Sequence, residues 1–234
     1  MILNLYLRKL FTPILVITFA LIGVYTFGYA EYFDRWFLLG LVMFFLVKVK
    51  TRDVNMAGLI AIIIFERSVE EIGFFIENHF DSKVIIYLCA AALMYKLKYD
   101  QVVKKLCIPL LMSIILAECY WYFIGYQPPR IHAYVLMLLV NIITRHLLFM
   151  RVPLTDKMVK GGKFLPLDLK LYDLSKWGIW IIAVMISEYL IRHLTPLNPL
   201  YFYQVYSMLM HSIAVLTLFY FTEDYLRSRF ILDA

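Results

Sequence analysis

The residues of this chain that can do chemistry are acidic, and they stand where acids are scarce. Glu66, Glu70, Gly73 and Glu77 recur at i, i+4, i+7 and i+11, so on a helix they lie along one face. Arg67 and Glu71, four apart, fall on the neighbouring face with the spacing of an ion pair. Four glutamates against one arginine leave a formal charge of −3 in an otherwise apolar stretch. An ionisable group in hydrocarbon costs several kcal/mol and turns to a partner or a water-filled cavity. The chemistry expected of this stripe is therefore the attraction and binding of a small cation or a proton.

Two further carboxyls stand alone among apolar neighbours. In a helical hairpin, residues equally distant from the turn lie at equal depth. Glu118 and Asn141 are centred on Pro128-Pro129, and Glu188 and His211 on Pro199. The expectation is that Glu118 meets Asn141 and that Glu188 meets His211. A carboxylate beside an imidazole is a satisfied polar pair that can also relay a proton.

Other chemistries find no support. His132 and His146 are 14 apart, as in helices that hold b-type haem, but His146 has no second histidine at its depth. Glu70-Glu71 opens like the EExxxR motif of CAAX-type intramembrane proteases, yet Phe75 stands where the arginine belongs and the later histidine-rich motifs are missing. No CxxC, HExxH, GxSxG or phosphate-binding glycine loop occurs. No enzyme, metal or cofactor is expected.

The elements that must position these residues are membrane helices. Of 234 residues, 63% are hydrophobic and 17% charged, against about 45–50% and about 25% in soluble domains; the mean hydropathy is +0.76. That composition excludes a soluble enzyme and a disordered regulator. Cys89, Cys107 and Cys119 all lie in apolar runs and cannot all pair, which excludes a disulfide scaffold. A crossing needs roughly 20 mostly apolar residues, fewer where flanking lysines snorkel. Eight spans are expected, at 11–30, 33–49, 54–76, 83–97, 103–124, 131–150, 176–194 and 201–221. The first follows Arg8-Lys9 without a small-residue cleavage site and reads as a retained helix.

Basic residues, among them Lys48, Lys50, Arg52, Lys96, Lys98, Lys104 and Lys105, gather at one set of helix ends. The other set has only Arg35, Lys83, Arg130 and Arg192. By the positive-inside rule both termini are cytoplasmic and four hairpin tips face out, where Tyr29, Tyr32, Trp36, Tyr120 and Tyr126 supply interfacial rings. A spacing of 47 links Glu71 to Glu118 and Phe33-Asp34 to Phe80-Asp81; adding 23 links Glu118 to Glu188. The expected organisation is one all-α membrane domain over 1–234. Three hairpins fill 1–150, a basic cytoplasmic loop 151–175, and the fourth hairpin with a tail 176–234.

That loop is the remaining functional segment. Lys157, Lys160, Lys163 and Lys170 suit anionic headgroups or a cytosolic partner protein. Leu165, Leu167, Leu169, Leu171 and Leu174 suggest a surface-lying helix or strand, and residues 1–10 a similar interfacial piece. Two functions from different classes follow. The first is a small cation or proton channel, transporter or gradient-coupled subunit in the inner (plasma) membrane, using Glu66, Glu70, Glu71, Glu118, Glu188 and His211, with Arg67, Glu77 and Asn141 in support. The second is a non-catalytic membrane component that binds a partner through the loop, such as an immunity, exclusion or anti-phage defence protein or the anchor of a complex. Either is expected to work as an oligomer or a subunit, with no nucleic acid involved.

Overall fold

In the computed structural model the apolar runs are helices, bounded by charged turns, glycine and proline. The structure describes residues 2–75, 80–127 and 131–230, with side chains over 11–29, 32–70, 83–127 and 131–226. Among them the order is α1 (Ile2–Thr26), a short 3-10 turn (Phe27–Tyr29), α2 (Ala30–Lys50), α3 (Val54–Phe75), α4 (Phe80–Lys96), a widened π-type segment (Val103–Cys107) running into α5 (Ile108–Ile124), α6 (Ile131–Phe149), α7 (Arg151–Val159), α8 (Pro166–Leu194) and α9 (Tyr201–Phe230). No strand occurs among the described residues. Pro109 sits in the first turn of α5, where a missing N–H is harmless, and Gly125 ends that helix at φ 69°, a conformation glycine adopts freely.

Among the described residues, five helical stretches are long and apolar enough to cross a membrane: Phe11–Tyr29, Val103–Ile124, Ile131–Phe149, Pro166–Leu194 and Tyr201–Leu226. The other three segments expected to cross are helices too, but less apolar ones. α2 carries Glu31, Asp34, Arg35, Lys48 and Lys50, and α3 carries Glu66, Arg67, Glu70 and Glu71. α4 has 17 residues, about 25 Å of helix against about 30 Å of hydrocarbon. The expected tip at Pro128-Pro129 lies outside the described residues, as does Glu77; the side chain of Glu71 does also. The first ten residues form no separate piece, since α1 runs unbroken from Ile2.

The segment 151–175 differs from expectation. It is no open loop but α7, six irregular residues at 160–165, and the opening of α8. Of the two forms open to the leucines, the helix is the one found: Leu167, Leu171 and Leu174 are buried at i, i+4 and i+7, while Leu169 is exposed. Pro166 at the first position of α8 fixes the helical φ, and the next eleven residues lack any breaker.

The chain divides into two compact units. The first comprises Met1–Ile60, Leu148–Leu174 and Ser207–Ala234. Its apolar packing includes Phe19, Val215 and Phe219, with the Phe19 and Phe219 rings edge to face at 5.7 Å. The second comprises Ala61–Leu147 and Ser175–Tyr206. Ile114, Trp121, Leu138, Ile142, Ile179, Ile182 and Ile186 are buried in it. All three cysteines are free thiols.

Candidate functional site

Within the second unit, the carboxylate stripe of α3 is met by α6. Glu66 is buried, 9% exposed, and no hydrogen bond reaches it among the described residues. One turn on, Glu70 accepts from Arg67 Nη1 at 3.0 Å, both side chains being close to nine-tenths buried. Asn141 on α6 donates from Nδ2 to Glu70 Oε1 at 3.4 Å and to the Met137 carbonyl at 3.1 Å. On α9, the Tyr206 hydroxyl donates to Met137 Sδ at 3.3 Å, and its ring stands edge to face with Tyr134 at 6.4 Å. On α8, Gly178 presents no side chain to Asn141; a Cβ there would lie 2.7 Å from Asn141 Oδ1. The amide can occupy this place only because residue 178 is glycine.

The charge balance follows from these contacts. Glu66, Glu70 and Arg67 sum to −1 when both carboxyls are ionised. Arg67 donates to Glu70, and one further positive charge would bring the three to neutrality. The expected pairing of Arg67 with Glu71 lies outside the described side chains.

The remaining expected site residues find other partners. Glu118 does not take Asn141: it accepts from the Tyr87 hydroxyl on α4 at 2.9 Å. Glu188 accepts from the backbone N–H groups of Phe202 at 2.6 Å and Tyr203 at 3.0 Å, so it caps the start of α9. Those amides belong to the first turn, where no intrahelical acceptor exists and the helix dipole favours an anion. A carboxylate in reach prefers two such donors to a single imidazole. His211, in the first unit, places Nε2 3.0 Å from Thr26 Oγ1, and Phe33 and Phe27 pack edge-on against its ring at 4.7 and 6.2 Å. The Thr26 hydroxyl gives its own proton to the Ile22 carbonyl at 2.7 Å. It must therefore accept from Nε2, which fixes the tautomer of the neutral ring. Within its own unit, Glu188 acts as a helix cap and His211 as the partner of Thr26.

Of the four lysines, Lys157, Lys160 and Lys163 are exposed, while Lys170 pairs with Glu223 at 2.7 Å. Two buried pairs were absent from the sequence reading. Arg145 Nε donates to Asp100 at 2.9 Å, and Asp100 also accepts from the Val102 N–H. Arg151 is fully buried and forked onto Asp168, with further bonds to Asn55 and the Lys163 carbonyl. Tyr87 and Glu118 are centred on residues 102–103, where the widened segment leading into α5 begins. Among the described residues no three His, Cys, Asp or Glu side chains gather to hold a metal ion. Compared with known protein families, characterised proteins and solved structures, the chain matches none.

Proposed function

We propose that this is a multi-pass membrane protein that binds and passes a small cation or a proton, as a channel, a transporter or a gradient-coupled subunit. Glu66 and Glu70 are its ion-binding groups, with Arg67 and Asn141 setting their charge and position. One observation carries this reading: Glu66 is a buried carboxyl with no hydrogen bond among the described residues, one turn from Glu70, which accepts from Arg67. A buried polar group that folding leaves unanswered is costly, and persists where a ligand completes it. Glu118 and Glu188 serve the bundle in this reading, each accepting hydrogen bonds from a neighbour, and His211 is bonded through Nε2 to Thr26.

Eight crossings with both ends in the cytoplasm fit the charge pattern. If none of α2, α3 and α4 crossed, Lys104 and Lys105 would open α5 on the side opposite Arg8 and Lys9, against the positive-inside rule. An odd number of the three must therefore cross. All three do if α4 relies on Lys96 and Lys98 to reach the headgroups. Such a protein belongs in the inner (plasma) membrane, where an ion gradient is available.

The test is flux into vesicles carrying the purified protein and a pH-sensitive dye, with a sodium, potassium or proton gradient imposed. Wild-type vesicles should respond to at least one of them, and Glu66→Gln should remove the response, whereas Lys157→Glu should not. Wild-type vesicles no more permeable than empty ones would overturn the proposal.

A further inference from the structure

The segment joining α6 to α8 is a built platform whose outer face is unlike a soluble loop. Its inner side is fixed by buried polar contacts. The Arg151 guanidinium holds Asp168, the Asn55 carbonyl and side chain, and the Lys163 carbonyl. Asp168 in turn accepts from the Leu165 N–H at 2.8 Å, and Asn55 Oδ1 accepts from the Lys163 N–H at 2.6 Å. The Asp156 carboxylate takes the N–H of Gly161 at 3.0 Å. Gly161 has φ 96°, and a Cβ on Gly162 would stand 2.5 Å from the Val152 carbonyl oxygen, so neither position accepts another residue without strain.

Held outward by this frame are Met158, Val159 and Phe164, which are 82%, 59% and 57% exposed. Lys157, Lys160 and Lys163 are interleaved with them, are exposed and make no ion pair among the described residues. Lys160 is itself held at φ 60°, a conformation that non-glycine residues seldom adopt. Both ends of the segment are rooted in helices apolar enough to cross a membrane, one ending at Phe149 and the other starting at Pro166. The platform therefore emerges at the bilayer surface. There large apolar side chains belong in the headgroup–acyl boundary and unpaired lysines beside phosphates.

We infer that 157–164 is a membrane-surface anchor that inserts Met158, Val159 and Phe164 into a leaflet rich in anionic lipid, with Lys157, Lys160 and Lys163 on the phosphate groups. The occupant is lipid because unpaired ammonium groups interleaved with exposed apolar side chains complement an anionic headgroup layer over acyl chains. Lys170, paired with Glu223, takes no part.

The full chain, with Cys89→Ser, Cys107→Ala and Cys119→Ser, is reconstituted in vesicles of phosphatidylcholine containing about 30% phosphatidylglycerol. An environment-sensitive fluorophore is attached at Met158→Cys, at Phe164→Cys, or at Asn198→Cys in an exposed turn. At 158 and 164 emission should shift to the blue. Spin-labelled lipid should quench these two probes at least about twofold more than the probe at 198, and aqueous iodide should quench them less. Lys157→Glu, Lys160→Glu and Lys163→Glu together should reverse the shift at 158. A 158 probe as open to iodide as the one at 198 would overturn the inference. So would a probe shielded from both iodide and spin-labelled lipid, which would mean that protein covers this face.

Discussion

A methyl group on Gly178 is the sharpest perturbation of the proposed ion site that leaves every charged residue in place. It would stand 2.7 Å from Asn141 Oδ1 and 3.8 Å from its Cγ, with nothing else within 4 Å. Ordinary contact begins near 3.4 Å, so the amide must move by roughly 0.7 Å. Its Nδ2 bonds, at 3.1 Å to Met137 and 3.4 Å to Glu70, cannot both survive that turn. A polar contact between membrane helices is worth about 0.6 kcal/mol and at most about 1.7, and overpacking adds about 1 kcal/mol or more. Against this, Gly→Ala inside a helix gains about 0.8–1 kcal/mol. Gly178→Ala should therefore be neutral to mildly destabilising alone. In an Asn141→Ala background the obstacle is gone, and the same substitution should stabilise by about 0.5–1 kcal/mol. The cycle predicts a coupling of about 1–2 kcal/mol, readable by reversible unfolding of the four proteins in mixed micelles. Additivity within about 0.5 kcal/mol, with one sign in both backgrounds, would refute the contact and with it the placing of Asn141 beside Glu70.

Arg151→Met should cost about 3–5 kcal/mol by leaving Asp168 buried without its cation, and adding Asp168→Leu should recover part of that loss in the same unfolding assay. Glu188→Ala should speed hydrogen exchange at the amides of Phe202 and Tyr203, which His211→Leu should leave unchanged. For Tyr87→Phe, loss of the hydroxyl that Glu118 accepts should cost about 1–3 kcal/mol of stability; a melting point equal to wild type would count against that bond. In a background lacking the native cysteines, Asn198→Cys should react with an impermeant thiol reagent outside intact cells and Lys157→Cys should not; the reverse result would invert the topology.

Much of the helical layout was legible because apolar runs of span length end at charges, glycine or proline, as in 103–124 and at 131–149. Glu66 and Glu70 were legible because charge in an apolar surround always demands an answer. Which residue supplies the answer was harder to see. Counting from a hairpin turn compares side chains at one depth, and near a helix start the backbone competes with them. Glu188, close to such a start, holds the amides of residues 202 and 203. Asn141 and Glu70 are 71 residues apart and meet only through the packing of α3 on α6, which no local pattern encodes. The leucines after Pro166 left helix or strand open because alternate and helical spacing both fit a run so rich in one residue. Burial of positions 167, 171 and 174 decides for the helix.

The cap at the start of α9 also bears on how the chain enters the membrane during synthesis. Glu188 and the amides it binds are only 14 and 15 residues apart, so all three belong to one short stretch of nascent chain. A nascent α8 would otherwise carry a bare carboxylate into hydrocarbon, an unfavourable cargo for any insertion machinery. Once Tyr203 has emerged from the ribosome, the carboxylate can close onto the first turn of the next helix, and the two helices can partition laterally as one preassembled hairpin. Stalling translation at a length that leaves residue 202 still inside the ribosome should accordingly leave α8 less fully inserted than stalling once residue 203 has emerged.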